Sequence, residues 1–153
     1  MSADFEGLEQ EEKIEHVPTG RAEVERLQAV VARDLTTAED LREQNRDWAL
    51  AIAYNAMLQA ALALMAAHGY RPRGEAQHRT AIAFARLALP ERERLLDRLD
   101  RLRHRRHQAV YGAAGQVSTS DVEAALTLAR EIVPALQDAA QRTLLARERG
   151  KSP

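Results

Sequence analysis

A run of guanidinium and imidazole side chains stands between Arg98 and Tyr111. Arg101, Arg103, Arg105 and Arg106 fall together with His104 and His107, just ahead of the glycine break Gly112-Ala-Ala-Gly115. Guanidiniums grip phosphate through planar, two-pronged hydrogen bonds, and an imidazole can exchange a proton near neutral pH. Such a set can bind a phosphodiester. With a base and a cation in one cleft it can also cleave RNA without metal, the base taking the 2′-hydroxyl proton while the cation stabilises the phosphorane. The plain alternative is a solvated charged face, in which pairs such as Asp97–Arg101 add roughly 0.3 kcal/mol each.

The leucines around the cluster set its phase on a helix. Leu95, Leu99 and Leu102 are spaced four and three apart, one helical face, and Arg106 is the next position on it before Ala109 or Val110. An arginine continuing an apolar stripe must meet a partner or an interface, because a lone buried cation is costly. Replacing Arg106 by alanine is therefore expected to disturb folding, whereas Arg105, pointing away, is expected to be nearly dispensable. Arg103, His107 and Tyr111 form the adjoining column at i, i+4, i+8. Arg101, Arg103 and Arg105 are the expected nucleic-acid contacts, and His107 is the expected proton acceptor. His104 and His107 have chelating spacing, but arginines surround them and no carboxylate shares their face, so no metal site is expected. No cofactor is expected either: there is no glycine-rich phosphate loop and no His-Glu-x-x-His motif. No serine or cysteine stands beside a histidine as a nucleophile pair would require.

The elements that must carry these residues read as helices throughout, with no strand pattern and no internal repeat. Residues 1–20 hold Asp4, Glu6, Glu9, Glu11, Glu12 and Glu15 against Lys13 and read as a flexible acidic leader outside the core, able to lie on the basic patch. A first helix is predicted over 21–44, with Val24, Leu27, Val31, Leu35, Ala38 and Leu41 on one face. A second, over 47–68, is apolar almost all round, which places it at the centre of a bundle or in a large interface. Trp48 is assigned to the core, and Tyr54 with Asn55 to a buried hydrogen-bonded pair or to a cleft. Gly69 ends this helix. Arg71, Arg73 and His78 follow, as loop residues or as an extension of the basic surface. A third helix spans 75–89, and Pro90 opens a fourth that ends near Tyr111. Ser118 or Ser120 caps a fifth, Ser120 making a capping box with Glu123, and Pro134 is a candidate kink. Residues 148–153 read as a disordered tail.

The 153 residues suffice for one domain with a real core. Alanine, leucine, glutamate and arginine dominate, favouring helix. The absence of cysteine excludes disulfides and fits a cytoplasmic protein. No apolar run is read as a membrane span, and no membrane partner is expected. The net charge of −1 is uneven: residues 92–107 carry seven arginines against Glu93, Asp97 and Asp100. The charge is thus a local basic patch rather than the global excess of a general nucleic-acid binder.

Three segments together carry a resemblance: Asp47-Trp48-Ala-Leu-Ala-Ile-Ala-Tyr-Asn-Ala-Met, His68-Gly-Tyr-Arg-Pro-Arg, and Arg106-His107-Gln-Ala-Val-Tyr111. In this order, between a long first helix and a capped last one, they resemble the HEPN superfamily over residues 21–147. The resemblance implies an all-α antiparallel bundle of about five helices and a symmetric homodimer. It implies an RNA- or nucleotide-interacting protein. Some members are metal-independent ribonucleases of toxin–antitoxin or defence type; others are inactive partners of small nucleotidyltransferases. A cognate antitoxin or nucleotidyltransferase is accordingly an expected partner. The family motif is an arginine, a polar residue and a histidine four to six positions on. Carried over, Arg106 is the arginine, His107 its polar follower, and Tyr111 stands where the histidine belongs. Arg101 with His107 satisfies the spacing formally, but six residues turn about 600° and leave the two on different faces. Arg106, His107 and Tyr111 are thus the candidate catalytic residues, in a composite site across the two-fold axis.

Overall fold

In the computed structural model, which describes residues 4–18, 20–112 and 114–150, the chain is a helical bundle with one two-stranded ribbon. The elements are α1 (Glu6–Gln10), β1 (Ile14–His16), α2 (Arg21–Leu41), α3 (Arg46–Ala67), β2 (Tyr70–Pro72), α4 (Gln77–Ala88), α5 (Glu93–Tyr111, entered through a 3₁₀ turn at Pro90–Arg92) and α6 (Thr119–Gly150). The all-α reading holds.

α3 is the axis of the bundle. Asn45 caps it by accepting the Trp48 backbone N–H at 3.2 Å, and Gly69 at φ +86° ends it in a conformation that costs glycine nothing. Fifteen of its residues, from Ala49 to Ala67, are buried. It is long and apolar enough to cross a membrane by length and composition, contrary to the sequence reading, yet 78% of the qualifying window lies inside the protein. α2, α4, α5 and α6 all pack on it. One chain thus covers α3, and of the two places expected for it, the centre of a bundle and a large interface, it takes the first. Alanines at nine of the fifteen buried positions let neighbouring helices approach closely.

Several other expectations change. The supposed leader is part of the fold. Phe5 is buried and stacks on Phe84 at 4.0 Å, Ile14 is buried, and β1 pairs antiparallel with β2, His16 opposite Tyr70. Its acidic side chains meet β2 rather than the arginine run: Glu15 pairs with Arg71, and Glu9 accepts from the Tyr70 hydroxyl at 2.7 Å. Trp48, in the first turn of α3, is 55% exposed rather than in the core. The capping box is Ser118 with Asp121: each backbone N–H is taken by the other's side chain, at 2.9 and 3.0 Å. α6 runs past Pro134 as one helix to Gly150, so residues 148–150 are helical and Glu148 pairs with Arg21 at 3.0 Å. The rest of the expected tail, 151–153, lies outside the described residues.

Candidate functional site

The buried face of α5 is turned by about half a position from the expected stripe, sharing Leu99 and Arg106 with it. Leu96 and Leu99 are fully buried, while Leu95 and Leu102 are only half covered. Continuing from Leu96 and Leu99 at helical spacing gives Arg103 and Arg106, so two guanidiniums lie on the inward face. The four arginines of the cluster therefore part. Arg103 and Arg106 turn toward α4; Arg101 and Arg105 turn toward α6.

On the α4 side the side chains line an open cleft of about 390 Å³. α5 contributes Arg103, His104, Arg106, His107 and Gln108, and the start of α4 contributes Glu75, Gln77, His78 and Arg79. Three arginines and three histidines thus face a single carboxylate. Arg103 donates to Asp100 at 3.1 Å and meets His104 Nε2 at 3.1 Å. The Nε of Arg106 is buried and has no hydrogen-bond partner among the described residues. A buried donor left in this state costs free energy, which a ligand oxygen would recover.

Tyr54, from α3, reaches the cleft from below. It is 1% exposed, and its hydroxyl lies 3.2 Å from His78 Nδ1. Burial pushes the Tyr54 phenol up to about 12, against the pull of Arg103 and Arg106. Burial also lowers His78 below the ordinary histidine value, helped by Arg106 and then Arg103. The pair is neutral at neutral pH. Sequence reading named both residues without joining them. Asn55 is bonded elsewhere, donating to the buried Asp34 at 2.7 Å, so Tyr54 and Asn55 are not partners.

Of the other expected site residues, His107 lies at the cleft edge with its ring 4.8 Å from that of Tyr111, and Tyr111 is 69% exposed at the end of α5. Arg105 has a different occupation. It donates to the Gln116 carbonyl and to Asp121, each at 2.8 Å, and to Gln108 at 3.1 Å. It ties α5 to the loop and capping box that start α6, so the expectation that Arg105 is dispensable is reversed. Asp121 is held below the usual carboxylate range by Arg105 and by the Ser118 backbone. Arg101 is exposed beside Arg98 and Leu102 in a shallow groove against α6. Arg71 and Arg73 face Glu15 and Glu12, away from the cleft. No cluster of three metal-binding side chains occurs among the described residues.

Comparison with known proteins agrees with this architecture. A search of curated proteins gives no significant match. The HEPN domain family model matches residues 32–139, more than half of the chain. That stretch runs from the middle of α2 to beyond the proline of α6 and takes in every wall of the cleft, which places this chain in the HEPN domain family.

Proposed function

We propose that this protein binds RNA or a nucleotide by seating a phosphate in the α4–α5 cleft, with Arg106 as the anchor. The observation that carries the proposal is the buried, unpartnered Nε of Arg106 in a cleft rich in cationic and imidazole groups. Nucleotide- and RNA-related function is what HEPN membership supports in general; the cleft is where this chain is equipped for it. Fluorescence anisotropy with a labelled single-stranded oligoribonucleotide tests the reading. Binding should weaken with salt, and Arg106→Ala should weaken it at every salt concentration. If the chain binds neither RNA nor a nucleoside diphosphate but captures an antitoxin or nucleotidyltransferase, it is a docking module instead.

The exposure of His107 and Tyr111 at one end of α5 favours a second, more specific reading: a homodimer in which two such ends meet and form a ribonuclease of toxin–antitoxin or defence type. Arg106 would stabilise the phosphorane, His107 would take the 2′-hydroxyl proton, and Tyr111 would orient the phosphate. Cleavage would continue in EDTA and leave a 2′,3′-cyclic phosphate and a 5′-hydroxyl. His107→Ala would slow it by about 10²–10⁴, the usual range for losing general acid–base help. A stable 17.1 kDa monomer in light scattering would remove the composite site and leave the binding reading intact.

A further inference from the structure

His78 lies outside the arginine motif and comes from a different helix, yet it is tied to the same cleft by a residue from the protein's interior. We propose that His78, held by the Tyr54 hydroxyl, is a second ligand contact, donating from Nε2–H to an oxygen of the bound RNA or nucleotide phosphate. This rests on the reading of the α4–α5 cleft as a phosphate site.

Tyr54 is buried and its hydroxyl meets His78 Nδ1 at 3.2 Å. A phenol is the stronger donor and an imidazole nitrogen the stronger acceptor, which assigns the phenol hydrogen to Nδ1. A neutral imidazole has one N–H, so it must then sit on Nε2. No protein group among the described residues takes a hydrogen bond from Nε2, and His78 is half-buried in the cleft wall. The groups around it are Arg103, His104, Arg106 and His107 from α5, Glu75 and Arg79 beside it, and Tyr54 beneath. This surrounding is mainly cationic and disfavours the imidazolium, in line with the lowered value of His78. The raised value of Tyr54, about 12, keeps the phenol protonated. His78 therefore brings direction and no charge, while Arg106 brings charge.

That difference can be measured. A cation on a phosphate contributes about one unit to the slope of log affinity against log salt, and a neutral donor contributes none. With a fluorescein-labelled oligouridylate as probe, His78→Ala should lower affinity about tenfold with the slope unchanged. His78→Gln, which can replace the donor, should stay within about threefold of the parent, and Tyr54→Phe should fall between. Arg106→Ala should lose affinity and about one unit of slope together. If Arg106→Ala weakens binding and His78→Ala does not, the inference fails and the phosphate-site reading survives. If His78→Ala flattens the slope as Arg106→Ala does, His78 acts as a cation and the inference also fails. If the parent binds neither RNA nor a nucleoside diphosphate, both fail. Nitrogen-15 spectra of the full chain check the premise without RNA and without a variant that must fold: His78 should show a protonated Nε2 and a bare Nδ1, and the opposite tautomer overturns the proposal.

Discussion

The two flanks of α5 carry the same residue type to opposite ends. Toward α6, Arg105 and Arg98 are bound to the protein's own acceptors, and Arg101 stays exposed beside them. Arg105 holds Asp121 and the Gln116 carbonyl, and Arg98 pairs with Glu131 at 3.4 Å. Toward α4, Arg106 keeps a buried donor with no partner among the described residues, and Arg103 meets only Asp100 and His104 of its own helix. One flank uses guanidinium as mortar between helices, and the other holds Arg106 with a buried Nε that has no partner among the described residues. An arginine-rich helix is therefore not one surface. What separates Arg105 and Arg98 from Arg106 is an ion pair to the facing element: Asp121 and Glu131 on α6 make one, whereas Glu75 in the cleft makes none with Arg106 among the described residues.

The sharpest way to break this comparison is to remove Arg106. Arg106→Ala should weaken oligoribonucleotide binding by about 10- to 100-fold, in keeping with a charge-assisted contact. It should leave the melting temperature nearly unchanged, because the buried Nε has no partner to lose. A large fall in melting temperature would mean that Arg106, too, is mortar.

Arg105→Ala is the mirror experiment. It removes two hydrogen bonds that close the α5–α6 connection and one within α5 to Gln108, and should cost about 1–2 kcal/mol of stability in urea titrations, discounted for partial exposure. Affinity for RNA should barely move. If affinity falls as far as in Arg106→Ala, the flanks do not differ in role.

Acid should act first through two histidines, His68 at the end of α3 and His78 in the cleft. His68 and His78 are both held neutral in the folded protein, His68 down to about 4 by burial and then by Arg147, His78 by burial and its arginines. The unfolded chain protonates its histidines near 6.5. Their stabilisation is complete above that pH and drains away as pH falls, for His68 toward about 4. Asp121, with its value lowered, contributes only to a later loss, below its ordinary value of 3.8. Melting temperature should thus start to drop below about pH 6.5. His68→Gln should remove much of that first leg, and a profile flat down to pH 4.5 would show that burial does not hold these rings neutral. The smallest expected effect is that of Arg101→Gln, exposed on the α6 flank: no measurable change in stability, and less loss of salt slope than Arg106→Gln.

Sequence reading reached the bundle because apolar spacing in α2, α3 and α6 is strong and local. It singled out Arg106 and His107 because a polar motif interrupts an apolar stripe, and the structure puts both on the α4–α5 cleft. It placed the stripe on Leu95 rather than Leu96, and adjacent leucines make that choice ambiguous. Leu99 and Arg106 belong to both choices, so the face turns by about 50°, which brings Arg103 inward and leaves Arg105 toward α6. The Tyr54–His78 contact could not be read, since it joins residues on different helices through tertiary packing alone. Phe5 and Ile14 are single apolar residues in acidic surroundings and give no period. Trp48 shows the reverse error: its type says core, but its position on a first turn puts it in solvent.

The stacking of Phe5 on Phe84 has a practical consequence for where this domain may be cut. Phe84 lies on α4 below His78, and β1 secures the segment that leads into α4 through β2. The family match covers 32–139 only. An expression fragment trimmed to those limits would strip Phe5 from Phe84, remove the first half of α2, and sever the Arg21–Glu148 clasp between the start of α2 and the end of α6. The folding unit is wider than the family signature, and any fragment meant to retain the cleft has to begin ahead of Phe5.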